Sequence, residues 1–366
     1  MLTGDTIGPG DPRRAPILAV VIVVVVIAGT MVNMNVGPSV FACVAFLGGA
    51  AVAAPSLAAS SDAYAGPDEI YAAIRSQPST AIMVGGGAID VVFADGAPGL
   101  DRVRVMDWIR ASARAVATYF GRFPVDRVGI LVIAAEGAGI GSGATYGFDG
   151  SVIRIGVGRT AGEPEFKDDW VLVHEMTHLA LPTVPRRSQW LLEGNATYVE
   201  PIARAQAGQL DPTEVWRWSM EGMPKGQPAA GDRGLDNTPT WGRTYWGGAL
   251  FWLLADVRIR GKTHNRFGVC DALRAINRTS GGIGANWSVE KLVAVGDHAT
   301  GTDELTRLYA EMKSAPVTTD LQDLFINLGV RARGGKIEFD ENAPLAEIRR
   351  RITAPPANSA MITPRP

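Results

Sequence analysis

The chain has 366 residues, 46% hydrophobic and 20% charged, a composition that excludes a largely disordered protein. Its 35 basic and 37 acidic residues leave a formal net charge of −2. No compact run of Lys and Arg supplies the basic surplus that phosphate binding needs, so nucleic acid is excluded as the main partner. Cys43 and Cys270 are too few for a disulfide framework or a thiolate zinc site.

Residues 1–65 read as a membrane anchor or export signal. Ile17–Val32 is an apolar run behind Arg13 and Arg14, slightly shorter than the ~20 residues a spanning helix wants. Val40–Ala54, rich in Ala and Gly, precedes Pro55 and the A-x-A sequence Ala63-Tyr64-Ala65, the pattern of a signal-peptide apolar region and its cleavage site. In one reading the first run anchors an external domain and the second lies in or near the membrane. In the other, translation starts at Met31 or Met34 and the second run is a removable signal. Both place the bulk of the chain outside the membrane.

Residues 66–353 read as one globular domain, mainly β over 66–160 and mainly α over 161–353, with 354–366 a mobile tail. Asp68–Ser76 predicts a short helix. Ala81–Val84, Ala88–Phe93, Val128–Ala134 and Ser151–Val157 predict strands, and Asp101–Phe120 a helix with apolar residues at helical spacing. Gly137–Gly150 is a Gly-rich segment without the spacing of a nucleotide loop. Pro164 fits the first turn of a helix running to Leu181, and a second helix spans Ser188 to about Ala205. Glu221–Gly242 reads as a long Gly/Pro-rich loop. Helices then fill Tyr245–Arg260, Arg266–Ile276, Ser288–Val295 and Asp303–Met312, followed by a short strand at Lys336–Phe339 and a last helix at Leu345–Arg351.

Two of the chain's four histidines stand four residues apart in His174-Glu175-Met176-Thr177-His178. On a helix that spacing is just over one turn, so both imidazoles project from one face and can share a zinc ion at about 2.0–2.1 Å. Glu175 is rotated about 100° from His174, beside the ion rather than on it, where a carboxylate can take a proton from a zinc-activated water. The flanking sequence is apolar on nearly every side, and a buried His-Glu-His cluster without a metal is costly. Glu193 follows the apolar run Trp190-Leu191-Leu192 and supplies a third ligand, with Gly194 permitting close approach of its helix to the first. Glu200, seven residues on, is either a support for a ligand histidine or a solvated carboxylate. His264 reads as solvated, His298 as a residue at a helix end, where a cation interacts well with the dipole, Cys270 as a buried thiol, and Arg243 as a surface residue with a substrate carboxylate as its other candidate partner.

W-L-x-E-G-x-A-x-Y after H-E-x-x-H resembles the gluzincin zinc metallopeptidases, nearest to the branch of aminopeptidase N and the glycyl aminopeptidases. Tyr245-Trp246-Gly247-Gly248, opening an apolar helix, resembles that family's Y-x-x-G segment. The resemblance therefore implies that the Tyr245 hydroxyl stabilises the oxyanion. It covers about Gly147 to Ile276. Three features depart from the family: a shorter connection between His178 and Glu193, no G-x-M-E-N sequence before the zinc helix to hold a substrate amine, and Gly247 where a lysine is common. The strand Ser151–Gly158 is expected to bind an extended peptide by strand addition.

The combined expectation is an α+β, thermolysin-like zincin with a mixed sheet before the zinc helix and a helical subdomain after it. One zinc ion would sit on His174, His178 and Glu193, with Glu175 and Tyr245 catalytic, hydrolysing peptide bonds outside the membrane. The rivals are a non-catalytic peptide-binding module on the same fold and a zinc hydrolase of a non-peptide substrate.

Overall fold

The computed structural model describes Ile22–Val23 and residues 64–355. Apart from that dipeptide, the expected anchor and signal runs lie outside the described residues, as does the tail beyond residue 355. Among the described residues no helix is long and apolar enough to cross a membrane.

A six-stranded mixed sheet precedes a set of helices, an α+β arrangement. β1 is the dipeptide Ile22–Val23. α1 (Pro67–Ser76) begins with Pro67, whose missing N–H would have no helical partner in any case. β2 (Ser79–Val84) and β3 (Gly87–Phe93) form an antiparallel hairpin turned by Gly85 and Gly86, at φ of 56° and 85°. α2 (Arg102–Phe120), capped by the Asp101 side chain accepting from the Arg104 N–H, carries the chain to β4 (Arg127–Ala135), parallel to β3. From Val128 onward β4 is wholly apolar because both faces of the sheet are covered. Ile130 and Val132 join the core with α2, while Leu131 and Ile133 pack with Ile70 and Tyr71 of α1.

β5 (Ile140–Tyr146) and β6 (Val152–Gly158) complete the sheet in the order β1-β5-β6-β4-β3-β2. Two expectations are corrected here. The Gly-rich segment contains a strand, and β6 lies inside the sheet, parallel to β4 and antiparallel to β5, so it has no free edge for a peptide. β5 escapes detection because its positions facing the helical layer must be small. A Cβ on Gly143 would stand 2.4 Å from Cγ of Glu175, and the Gly, Ser, Ala and Thr between Ile140 and Tyr146 carry no apolar alternation.

The helical half opens with α3 (Glu163–Asp168) and α4 (Val171–His178). The single helix expected from Pro164 to Leu181 is two, because Asp169 takes an extended backbone with ψ of 132°. Its carboxylate caps α4, accepting from the N–H groups of Val171 and Leu172 at 3.0 and 3.2 Å. α5 (Trp190–Gln206) is buried at every residue except Thr197, as suits a helix apolar nearly all round. α6 (Pro212–Gly222) and a 3-10 turn at Met223–Gly226 shorten the expected long loop. A π-helical turn at Arg243–Gly247 feeds α7 (Gly248–Thr263). There follow α8 (Val269–Ser280), α9 (Val289–Thr300), α10 (Glu304–Met312), α11 (Leu321–Asn327), the hairpin of β7 (Val330–Arg333) and β8 (Lys336–Phe339), and α12 (Ala346–Thr353).

Gly194 does permit a close approach, but to α7 rather than to α4. A Cβ there would lie 2.2 Å from the Gly248 carbonyl carbon, and one on Gly248 would lie 2.2 Å from the Trp190 oxygen. Backbone meets backbone at this crossing, which no side chain can enter.

Candidate metal centre

His174 and His178 project from one face of α4 with ring centroids 4.8 Å apart. α5 lies against α4 and brings Oε2 of Glu193 to 3.4 Å from Nε2 of His174 and 3.5 Å from Nε2 of His178. The three donor atoms lie within 4.8 Å of one another. All three residues are buried, and among the described residues Nε2 of both histidines and Oε2 of Glu193 have no hydrogen-bond partner. Three buried, unsatisfied atoms turned on one point are costly alone and favourable around a cation. Two imidazoles and a carboxylate with a fourth position open are the donor set of a catalytic zinc site, so the residues fit that ion.

The charges agree. Burial works against the Glu193 carboxylate, yet the two histidines outweigh it and hold Glu193 down at about 2. Burial lowers His174, keeping it neutral as a ligand must be. Burial also disfavours the His178 cation, but the Glu193 carboxylate beside it raises its pKa overall. A divalent cation held at the meeting point would take the place of that proton.

Glu175 is fully buried on the side of α4 that faces β5, and desolvation pushes its carboxyl up to about 7. The Thr145 hydroxyl of β5 donates to Glu175 Oε2 at 2.6 Å and steadies one oxygen, while Oε1 has no partner among the described residues. A carboxylate with one oxygen tethered, the other free and a pKa near neutrality is suited to accept and return a proton.

Tyr245 lies on the π-helical turn before α7, its ring stacked toward His174 at a centroid distance of 6.3 Å. Burial above all, then the Glu193 and Glu175 carboxylates, raise its hydroxyl well above the ordinary tyrosine value, so it is a donor at any working pH. The turn is held from behind. Arg243, read from the sequence as a surface or substrate-binding residue, is buried, paired with Asp232 at 2.8 Å and donating to the Gly226 carbonyl at 2.5 Å.

Glu200 follows neither of its two readings. It is buried, but its partner is Arg204 at 3.0 Å rather than a ligand histidine, and burial raises its pKa to about 7 despite that arginine. His264 and His298 are exposed. Sequence reasoning missed Thr145, Gly143, Asp169 and Asp232. Only Asp169, two residues before an apolar helical run, carries a local signal, that of a helix cap.

No protein-family model matches the chain, and no curated protein does. Solved structures do match. An aminopeptidase N family protein from Idiomarina loihiensis superposes with a TM-score of 0.54 at 14% identity, covering 69% of this chain and 49% of its own. An M1 zinc metallopeptidase from Deinococcus radiodurans matches at 15% identity and a TM-score of 0.44, covering 67% of this chain and 52% of its own. The chain thus spans about half the length of the structures it matches. Over about two thirds of its length it shares the fold of that aminopeptidase N family structure.

Proposed function

We propose that this protein is a zinc-dependent hydrolase of peptide bonds. The observation that carries the reading is the convergence of three buried donors, unpartnered among the described residues, from His174, His178 and Glu193, with Glu175 and Tyr245 beside His174. A zinc ion held by those donors supplies Lewis acidity, lowering the pKa of a water to about 7.

Glu175, oriented by Thr145, takes the proton of the attacking water and later delivers it to the leaving amine. Tyr245 donates to the carbonyl oxygen as negative charge develops there. β5 contains no acidic residue over Ile140–Tyr146, so this strand offers no carboxylate to grip a free amino terminus. That supports cleavage without an obligatory amino-terminal clamp. The apolar run Ile17–Val32 behind Arg13 and Arg14 supports an anchored or exported protein working outside the membrane.

The test compares the zinc-loaded protein with Glu175→Gln on a diverse peptide mixture, with products read by mass spectrometry. Zinc-dependent cuts that vanish in the variant, whose zinc content is unchanged, are the expected result. Zinc bound with no cut in either protein would favour a docking module or a non-peptide substrate. Loss of zinc from Glu175→Gln would contradict the role given to Glu175.

A further inference from the structure

A cavity of about 680 Å³ opens beside His174 and Tyr245, within the ~300–1,000 Å³ range of sites that bury whole small ligands. It runs away from β5, between α5 and α6, as far as Ile352 of α12. Neither Glu175 nor any residue of β5 lines it. Five tryptophans do: Trp170, Trp216, Trp218, Trp241 and Trp246. Two of them join it to the metal centre, Trp170 packing edge-on against His174 at 5.6 Å and Trp241 lying 6.0 Å from Tyr245.

Its two lining carboxylates are already matched. Glu200 pairs with Arg204 at 3.0 Å and Glu221 with Arg217 at 3.0 Å. Lys225, the lining residue with an amine, is exposed. A cationic side chain entering the cavity finds no free carboxylate, and an anionic one would leave water for an indole wall. Aromatic walls favour a flat apolar group, which stacks or packs edge-on against them. Tight packing behind the wall fixes its shape, since a Cβ on Gly222 would stand 2.2 Å from the Trp246 ring.

We infer that this cavity is the site for a bulky, uncharged aromatic side chain of the substrate, on the side of the metal away from β5, and that it selects peptides carrying such a residue beside the cleaved bond. The inference rests on the peptidase reading above and adds the substrate class to it. Ser219 is the position to probe. It lines the cavity from α6, and its hydroxyl bonds back to the Val215 carbonyl of its own helix.

The experiment uses the full zinc-loaded chain and peptides differing only in one residue flanking the cleaved bond: Phe, Ala, Lys or Glu. Removing a phenyl group's burial is expected to cost about 10- to 100-fold in kcat/KM, so Phe should exceed Ala by that factor, with Lys and Glu no better than Ala. Ser219→Phe fills the cavity and should bring the Phe-to-Ala ratio to about 1, with zinc content unchanged. Ser219→Leu, less bulky, serves if the phenylalanine variant fails to fold.

A second readout needs no turnover: tryptophan fluorescence of the metal-free protein, titrated with the Phe peptide and, separately, with dodecanoate. A saturable change with the Phe peptide, lost in the Ser219 variant, supports the inference even if no peptide is ever cut, in which case the peptidase reading alone has failed. Zinc-dependent cleavage without aromatic preference, or saturation by dodecanoate and not by the Phe peptide, overturns it. The latter result would assign the cavity to an acyl chain.

Discussion

At Gly143 a hydrogen atom stands where a methyl group would lie 2.4 Å from Cγ of Glu175. Gly143→Ala must therefore displace either β5 or the carboxylate, and a misplacement of about 1 Å costs on the order of 100-fold in turnover. The expected result is a fall of that size in kcat with zinc content unchanged, read by steady-state kinetics beside metal analysis. An equal fall in zinc content would place the damage at the ligands instead.

Asp169 gives a second prediction at this scale. Burial raises its carboxyl from 3.8 to about 6, although two backbone N–H groups and Trp108 donate to it. A raised pKa means the folded state holds the proton longer than the unfolded chain. The stabilisation is complete below about pH 4 and is lost as pH rises through about 6. Urea unfolding of wild type and Asp169→Asn should therefore show the wild type's margin shrinking from pH 4 to pH 6 and flat above it. A margin that grows over that window would reverse the sign.

Helix crossing sets the distances that the residues use. Glu193 and Gly194 are neighbours on α5, and Tyr245 precedes Gly248 of α7 by three residues, so the glycine contact between these helices sets the positions of Glu193 and Tyr245 together. Gly194→Ala would overpack a backbone contact, at a cost of about 1–3 kcal/mol. The expected outcome is a melting temperature lower by several degrees and weaker zinc binding, measured by calorimetry and metal titration. An unchanged melting point would show that the crossing yields freely. The π-helical turn carrying Tyr245 belongs to the same scale. It is an irregularity in an otherwise continuous helix, braced by the Arg243–Asp232 pair.

Over the whole molecule, α4, packed against the sheet, and α5, packed against α7, supply the three donors. Metal removal should therefore be felt globally. Because the donors converge only in the folded chain, zinc at 1,000 times its dissociation constant adds about 4 kcal/mol of stability. Chelation should lower the melting temperature by roughly 10 °C in a domain of this size, and re-added zinc should restore it. A melting curve indifferent to chelator would refute the site.

Local features are legible in the order of residues alone. H-E-x-x-H on an apolar helix dictates two imidazoles on one face whatever surrounds it. The apolar run before Glu193 buries that carboxylate, and the helical spacing of α2 and the apolar runs of β3, β4 and α7 mark these elements within a few residues. What the tertiary structure alone decided are the partners that come from far along the chain. Thr145 and Gly143 come to Glu175 from a strand without apolar alternation, and Asp232 reaches Arg243 across a loop. Glu200 turned out to be Arg204's partner, and five tryptophans spread from Trp170 to Trp246 line one cavity. A short pattern encodes a direction on its own element. Which side chain waits at the end of that direction is set by packing, which depends on the volumes and backbone approaches of every element at once.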